Sequence, residues 1–192
     1  EFLGYHDSGV DVPGPDGPDA GRPVGAFADA ALDEAAGRLA AVLAVERPAA
    51  LVSYDQRGIY GHADHVQVHL VGQAAAEAAG VATVYEATVD REYLHFVETH
   101  LVVEATIATQ PERVPAGLGL AAAALGLSTV EVDCTVDVRP VLPTKRRAMA
   151  AHVSQIPESS SALRLLDADF AAVYGYEWYA RRGPRGPIDQ LI

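Results

Sequence analysis

Residues 49–85 (AALVSYDQRGIYGHADHVQVHLVGQAAAEAAGVATVY) decide the fold class. They begin with an apolar run of strand length, which a polar loop from Asp55 to Ala63 follows. The spacing of apolar residues predicts a helix from Asp64 to Ala79, and Gly80 is a natural helix stop. A second apolar run at residues 81–85 predicts another buried strand. This order of strand, helix and strand is typical of a parallel βαβ unit.

The alternation of strands and helices continues on both sides of this unit. Helices are predicted over residues 27–47, which Pro48 ends, and over residues 90–105. Apolar and polar residues alternate strictly at 129–138, which predicts a strand with one solvent-exposed face near a sheet edge. Later elements predicted in the same way are a helix at 143–155, a helix at 162–174 and a surface coil at 181–187. We therefore expect an α/β fold with a mostly parallel sheet flanked by helices.

Composition excludes several classes of function. The chain carries 26 acidic against 14 basic residues, a formal charge of −12, which disfavours nucleic acid and anionic membranes as partners. No apolar run approaches the length of a transmembrane helix. The single cysteine, Cys134, cannot form an internal disulfide, and a cytoplasmic protein is the resulting expectation. A homo-oligomer is left open.

The densest polar cluster lies in the loop after the first predicted strand. His62 and His65 are three residues apart with Asp64 between them, so all three can share one small volume. A neutral imidazole is a good zinc ligand, and a second imidazole can donate a hydrogen bond to an oxyanion. A nearby carboxylate can fix the tautomer of a histidine. These roles match metal-assisted amide hydrolysis.

Plainer interpretations of this loop stay open. The two histidines can be ordinary polar loop residues, and Asp64 can be a helix cap. His65 and His69 also have the i,i+4 spacing of the zincin motif, but Val66 follows His65 where that motif has glutamate. We therefore interpret His69 as a packed or surface helix residue.

Three segments together resemble one enzyme family. Residues 60–69 (YGHADHVQVH) resemble the second signature of the LmbE-like (PIG-L) zinc-dependent N-deacetylases, usually Gly-His-Pro-Asp-His, with Ala63 in place of proline. Residues 3–10 (LGYHDSGV) are similar to the family's Leu-Gly-Tyr-x-Asp-Ser-Gly-Met segment. Residues 145–155 (KRRAMAAHVSQ) are similar to its late Lys-x-x-Ala…His-x-Ser-Gln helix. Because their order and spacing agree with the family, the resemblance spans most of the chain.

The resemblance implies a Rossmann-like fold and a zinc ion held by two histidines and an aspartate. It also implies hydrolysis of an N-acetyl group, usually on a glucosamine-containing small molecule. His65 resembles the zinc-ligating histidine of the second signature, although another divalent metal is compatible with such a site. His62 resembles the histidine that stabilises the tetrahedral intermediate, and Asp64 resembles the carboxylate that supports it.

The substrate side of the site follows from the same resemblance. Asp7 matches a residue of the sugar-binding loop, where a carboxylate can accept hydrogen bonds from ring hydroxyls. Tyr60 and Gln155 are the other substrate-side candidates.

The family's first signature, Ala-His-Pro-Asp-Asp-Glu, has no match in residues 1–192. In the family it supplies two zinc ligands and the general base. We expect residues 1–192 to be the C-terminal two-thirds of a single deacetylase domain, without its first strand–helix units. The alternatives are a catalytically inactive sugar-binding relative and an amidase that acts on thiol-conjugate pseudo-disaccharides.

Overall fold

A computed structural model of the chain describes residues 2–9, 22–107, 125–154, 156 and 160–192, except the side chains of residues 102–107 and 161. The helices are α1 (Leu32–Glu46), α2 (Gly58–Gly61), α3 (Ala63–Ala79), α4 (Arg91–Ile107), α5 (Leu142–Ala151), α6 (Ser161–Arg164) and α7 (Asp167–Tyr174). The strands are β1 (Leu51–Tyr54), β2 (Val84–Thr88), β3 (Cys134–Asp137) and β4 (Tyr176–Arg182). Short 3-10 turns cover Phe27–Asp29, Thr129–Glu131, Arg139–Val141 and Ile188–Gln190. None of the described helices combines the length and apolar character needed to cross a membrane.

The strands form one mixed sheet in the order β1-β2-β4-β3. β1 and β2 are parallel, as the βαβ pattern predicts, with Ser53 opposite Glu86. β4 lies between β2 and β3 and is antiparallel to both. Among the described strands the expected parallel arrangement therefore holds only for β1 and β2, and the fold is α/β with a mixed sheet.

β4 is the element that the sequence interpretation missed. Its residues were expected to be an aromatic stretch followed by surface coil, which is wrong for Arg181 and Arg182. Aromatic side chains favour strands because they pack well on a pleated, half-buried surface. Trp178 is buried and lies 5.4 Å from the Tyr93 ring, so this stretch packs the sheet against α4.

α3 packs closely between the sheet and α1. Its Ala75 is fully buried against Ala36 and Leu43 of α1. A Cβ atom added to Gly72 would lie 2.7 Å from the Ser53 hydroxyl oxygen, so glycine lets α3 approach β1. This packing holds the start of α3 beside the end of β1, where the polar loop lies.

On the other side, α4 and α7 share a second apolar cluster, which contains Val97, Leu101, Leu165, Phe170 and Val173. The predicted helix at 162–174 is broken into α6 and α7, because the backbone leaves helical geometry at Leu165 and Leu166.

The alternating segment at 129–138 is a strand only in its second half. Its first part is a 3-10 turn, which Ser128 and Glu131 close with a capping box. The predicted edge position is confirmed within the described sheet, in which β3 is the last strand. Cys134 is buried, whereas Thr135 and Asp137 are exposed, so the predicted solvent-exposed face is also confirmed.

Candidate active site

The loop between β1 and α3 is held by the carboxylate of Asp55. This side chain is fully buried, and the backbone N–H groups of Arg57 and Ile59 each donate to its Oδ1 at 2.9 Å. The Thr88 hydroxyl on β2 donates to Oδ2. Asp55 therefore fixes the loop at the carboxyl ends of two parallel strands, the usual place for ligands in open α/β sheets. Sequence reasoning did not single out Asp55; an acidic residue directly after a buried strand is the signal that points to it.

Gly58 sets how closely this loop approaches α3. Its φ is +59°, and an added Cβ atom would lie 2.6 Å from the Cβ of His65 and 2.8 Å from the nitrogen of Val66. Both the backbone conformation and the contact therefore require glycine. Ile59 follows with φ +65°, a left-handed conformation that is strained for a β-branched residue. The loop is thus held beside His65 in a backbone conformation that has positive φ at two consecutive residues.

His65 has a defined orientation. Its ring stacks on Tyr54 with centroids 4.2 Å apart, and its Nδ1 lies 3.2 Å from the carbonyl oxygen of Gly58. Because a carbonyl only accepts, we assign the hydrogen to Nδ1, which leaves the lone pair on Nε2. Burial lowers the pKa of His65, so the imidazole is neutral at neutral pH. A metal-ligating histidine commonly has this tether to a backbone carbonyl.

His62 has the opposite tautomer. It is the N-cap of α3, and its Nδ1 accepts from the backbone N–H of Asp64 at 3.1 Å. A neutral His62 therefore carries its hydrogen on Nε2. The two imidazole centroids lie 5.0 Å apart. The loop thus presents one ring nitrogen that donates and one that accepts.

The Asp64 carboxylate bonds to two other segments. The backbone N–H of Ser8 donates to Oδ2 at 2.9 Å, and the Ser8 hydroxyl donates to Oδ1. The backbone N–H of Ala28 also donates to Oδ1, at 3.1 Å. The contact of Asp64 with the His62 ring is made by its backbone N–H.

The structure brings Tyr60 and Asp7 to the same region. Tyr60 is 57% exposed, and its ring centroid lies 5.0 Å from that of His65 and 6.1 Å from that of His62. Burial raises the pKa of Tyr60, and the nearby Tyr54 and Asp7 add to this rise. The Asp7 side chain is exposed and accepts from the N–H of Gly9 at 2.7 Å. Gln155 lies outside the described residues.

His69 is a packed helix residue, as expected. Its Nδ1 lies 3.3 Å from a carboxylate oxygen of Glu86 and 3.2 Å from the carbonyl oxygen of Tyr54. Within the part of the chain that the structure describes, no three His, Cys, Asp or Glu side chains are grouped to hold a metal ion. Catalytic zinc usually has three protein ligands. His65 has suitable donor chemistry for a metal ion, but the described residues do not form a complete zinc site.

No family model matches the chain. Curated relatives do match, and each of the following is named 1D-myo-inositol 2-acetamido-2-deoxy-alpha-D-glucopyranoside deacetylase. The protein of Mycolicibacterium smegmatis is 34% identical over 176 residues, which cover 85% of this chain and 57% of that protein. The protein of Rhodococcus erythropolis is 34% identical over 165 residues, which cover 82% and 53%. The protein of Geodermatophilus obscurus is 34% identical over 208 residues, which cover 98% and 67%. The chain spans little more than half the length of the first two of these relatives.

Proposed function

Because the chain belongs to the LmbE-like (PIG-L) family of N-deacetylases, we propose that the full-length protein removes an N-acetyl group from a glucosamine-containing small molecule. The products are acetate and a free amine. The names of the relatives favour 1D-myo-inositol 2-acetamido-2-deoxy-α-D-glucopyranoside as the substrate. In this proposal residues 1–192 are part of a single deacetylase domain with a Rossmann-like sheet, and the protein is cytoplasmic.

The observation that carries the proposal is the opposite hydrogen bonding of the two imidazoles, since Nδ1 of His62 accepts from a backbone N–H and Nδ1 of His65 faces a carbonyl oxygen. In amide hydrolysis, water adds to the carbonyl carbon, the carbonyl oxygen becomes negative, and the C–N bond then breaks. The Nε2–H of His62 is suited to donate to that oxygen as its charge develops. The departing amine takes its proton from the added water, because a neutral His62 that gave up its Nε2 hydrogen would become an imidazolate. We assign the general base to none of the described residues.

The metal is a separate part of the proposal. The family is generally metal dependent, and we propose Zn²⁺ with Nε2 of His65 as one ligand. A neutral imidazole whose other nitrogen is tethered to a carbonyl supports this assignment. Other divalent metals accept the same donor. Among the described residues we assign this one ligand to the metal.

Asp7 and Tyr60 are the proposed substrate-side groups, and Gln155 is proposed with them. An exposed carboxylate can accept hydrogen bonds from sugar hydroxyls, and the exposed Tyr60 ring lies beside both histidines. This arrangement would place a sugar across the mouth of the loop, with its acetamide toward His62.

The test is a product assay on the full-length protein that includes this chain. The protein is incubated with the acetylated amino sugar in the presence of Zn²⁺, and free amine and acetate are both measured. We expect equal amounts of the two products and about one tightly bound metal ion per chain. Sugar binding without product release would instead support the catalytically inactive relative. Faster cleavage of thiol-conjugate pseudo-disaccharides than of the acetylated sugar would support the amidase.

A further inference from the structure

The segment that carries Asp7 is anchored on both sides of that residue. On one side, His6 forms a parallel β-bridge with Ala26, in which its N–H donates to the Gly25 carbonyl at 3.0 Å. The N–H of Phe27 donates back to the His6 carbonyl at 2.9 Å. On the other side lies Ser8, which is 6% exposed. Asp7 is therefore an exposed residue between two fixed neighbours.

The hydrogen bonds of Ser8 are stronger than those of His6, because two of them have a carboxylate as the acceptor. The backbone N–H and the hydroxyl of Ser8 donate to the two carboxylate oxygens of Asp64. Its hydroxyl oxygen also accepts from the N–H of Ala28 at 3.0 Å. Hydrogen bonds to a charged acceptor are stronger than neutral ones. One buried serine thus joins three segments that are far apart in the chain.

The partner of Ser8 belongs to the histidine loop. Asp64 lies in the first turn of α3, and its own N–H donates to Nδ1 of His62. The connection from Asp7 to His62 therefore passes through the backbone N–H and hydroxyl of Ser8 and then through the carboxylate and backbone N–H of Asp64. A small displacement of Asp7 relative to His62 would weaken its contacts with the substrate, because a misplaced group loses much of its binding contribution.

We propose that Ser8 is a positioning residue for substrate recognition, which holds Asp7 at a fixed distance from His62 and His65 through the Asp64 carboxylate. This inference rests on the proposed function, since it assumes that Asp7 contacts the sugar. Ser8 itself does not touch the substrate in this arrangement. Its loss should therefore affect the binding of the sugar more than the chemical step.

The test is a double-mutant cycle in the full-length protein with the acetylated amino sugar as substrate. Ser8→Ala, Asp7→Ala and the double variant are compared with the wild type. Ser8→Ala should raise KM about tenfold and change kcat less than about threefold, because it removes ground-state binding. In the Asp7→Ala background the same change should alter KM less than about twofold, because the two residues act through one contact.

Ser53→Ala is the matched control. Ser53 is 5% exposed, and its hydroxyl donates to the Val68 carbonyl at 3.1 Å. It is thus a second buried, hydrogen-bonded serine, but it is not joined to Asp7. It should lower thermal stability without the rise in KM. Ser8→Cys, which keeps the side-chain size with a weaker donor, replaces Ser8→Ala if the alanine variant does not fold.

Two results would overturn the inference. One is an unchanged KM in Ser8→Ala, and the other is a KM effect of equal size with and without Asp7. A wild-type protein that binds the sugar without cleaving it would contradict the proposed function alone. In that case the same four proteins are compared by calorimetric titration with the sugar, and the dissociation constant replaces KM. A protein that neither binds nor cleaves the sugar overturns both.

Discussion

The imidazole of His65 lies on the ring of Tyr54, with centroids 4.2 Å apart and ring planes 17° from parallel. The two residues belong to different elements, since Tyr54 ends β1 and His65 lies in the first turns of α3. Gly58 completes the arrangement from the loop between them, because its carbonyl oxygen faces Nδ1 of His65. The orientation of His65 is therefore set by a strand end, a loop and a helix together.

Gly58→Ala should destabilise the protein and displace His65. The new Cβ atom would meet the Cβ of His65 at 2.6 Å, and φ at this position is +59°. A left-handed alanine costs roughly 1–2 kcal/mol. Overpacking adds about 1–3 kcal/mol. Chemical denaturation measures the loss of unfolding free energy.

Gly80→Ala is the control for the backbone contribution. Gly80 has φ +70° at the end of α3, and nothing lies within 4 Å of its added Cβ atom. The Gly80→Ala variant should therefore lose only the backbone contribution to the free energy of unfolding, without the loss from overpacking. Equal losses in the two variants would show that Gly58 is not needed for the close approach to His65.

His62→Ala should lower kcat of the full-length enzyme by about 10²–10³, the usual cost of removing one oxyanion donor. The change in KM should be small, because the donor acts mainly in the transition state. Steady-state kinetics with the acetylated amino sugar measures both constants. His95→Ala, which removes an exposed histidine of α4, is the control and should leave both constants unchanged. Full turnover in His62→Ala would remove His62 from the mechanism.

The βαβ unit could be predicted from the sequence because its signals are local. Apolar runs, helical spacing and Gly80 all lie within residues 49–85, and the observed bounds of α3 differ from the predicted ones by one residue at the start. The proximity of the His62 and His65 rings could also be predicted, because the two residues are close in the chain. The strand β4 was missed, because its place between β2 and β3 depends on partners far away in sequence.

The contacts that organise the site could not be foreseen in the same way. Ser8 and Asp64 are 56 residues apart, and no periodicity connects them. The role of Gly58 depends on a left-handed turn against a helix that follows it, which composition does not reveal. Likewise, the position of Asp55 after a buried strand is a sequence signal, but its hydrogen bonds with Thr88 and the loop N–H groups depend on the fold.

The buried pair of Glu86 and His69 should make stability depend on pH. Burial alone would raise the pKa of Glu86, but hydrogen bonds from His69 and Arg182 outweigh it and lower that pKa. The hydrogen bond to Glu86 raises the pKa of His69. The Glu86 contribution is complete above its ordinary pKa of 4.5 and is lost as the pH falls through the lowered value. The His69 contribution is complete below its ordinary pKa of 6.5 and is lost as the pH rises through the raised value.

Glu86→Gln should therefore lower the free energy of unfolding most between pH 4.5 and 6.5, where both contributions are complete. The expected loss there is about 3 kcal/mol, the lower end for breaking a buried pair. Urea denaturation of both proteins from about pH 2.5 to about pH 8.5, about two units on either side of this window, measures the difference. Glu77→Gln, at an exposed position of α3, should show no such maximum. A loss that is the same at every pH would mean that the charge on Glu86 does not matter.

Asp189→Asn should release the C-terminal turn from the sheet. The hydroxyl of the fully buried Tyr85 donates to Asp189 at 2.5 Å, the N–H of Gly186 donates at 2.8 Å, and Arg181 forms an ion pair with the same carboxylate. The hydrogen bond from Tyr85, followed by that from Gly186, lowers the pKa of Asp189 from 3.8 to about 2. Because the pKa is lowered in the folded state, the stabilisation is complete above pH 3.8 and is lost as the pH falls toward 2.

The melting temperature of Asp189→Asn should therefore lie below that of the wild type at pH 7, and the gap should close as the pH falls below 3.8. Asp137→Asn is a matched control, because hydrogen bonds from Arg139 lower the pKa of Asp137 to about 2 as well. That pair is exposed to solvent, so its loss should hardly change the melting temperature at pH 7. If the two variants melt alike at pH 7, the contacts of Asp189 with Tyr85 and Arg181 stabilise the protein no more than the exposed pair at Asp137 does. The turn is then not held by Asp189.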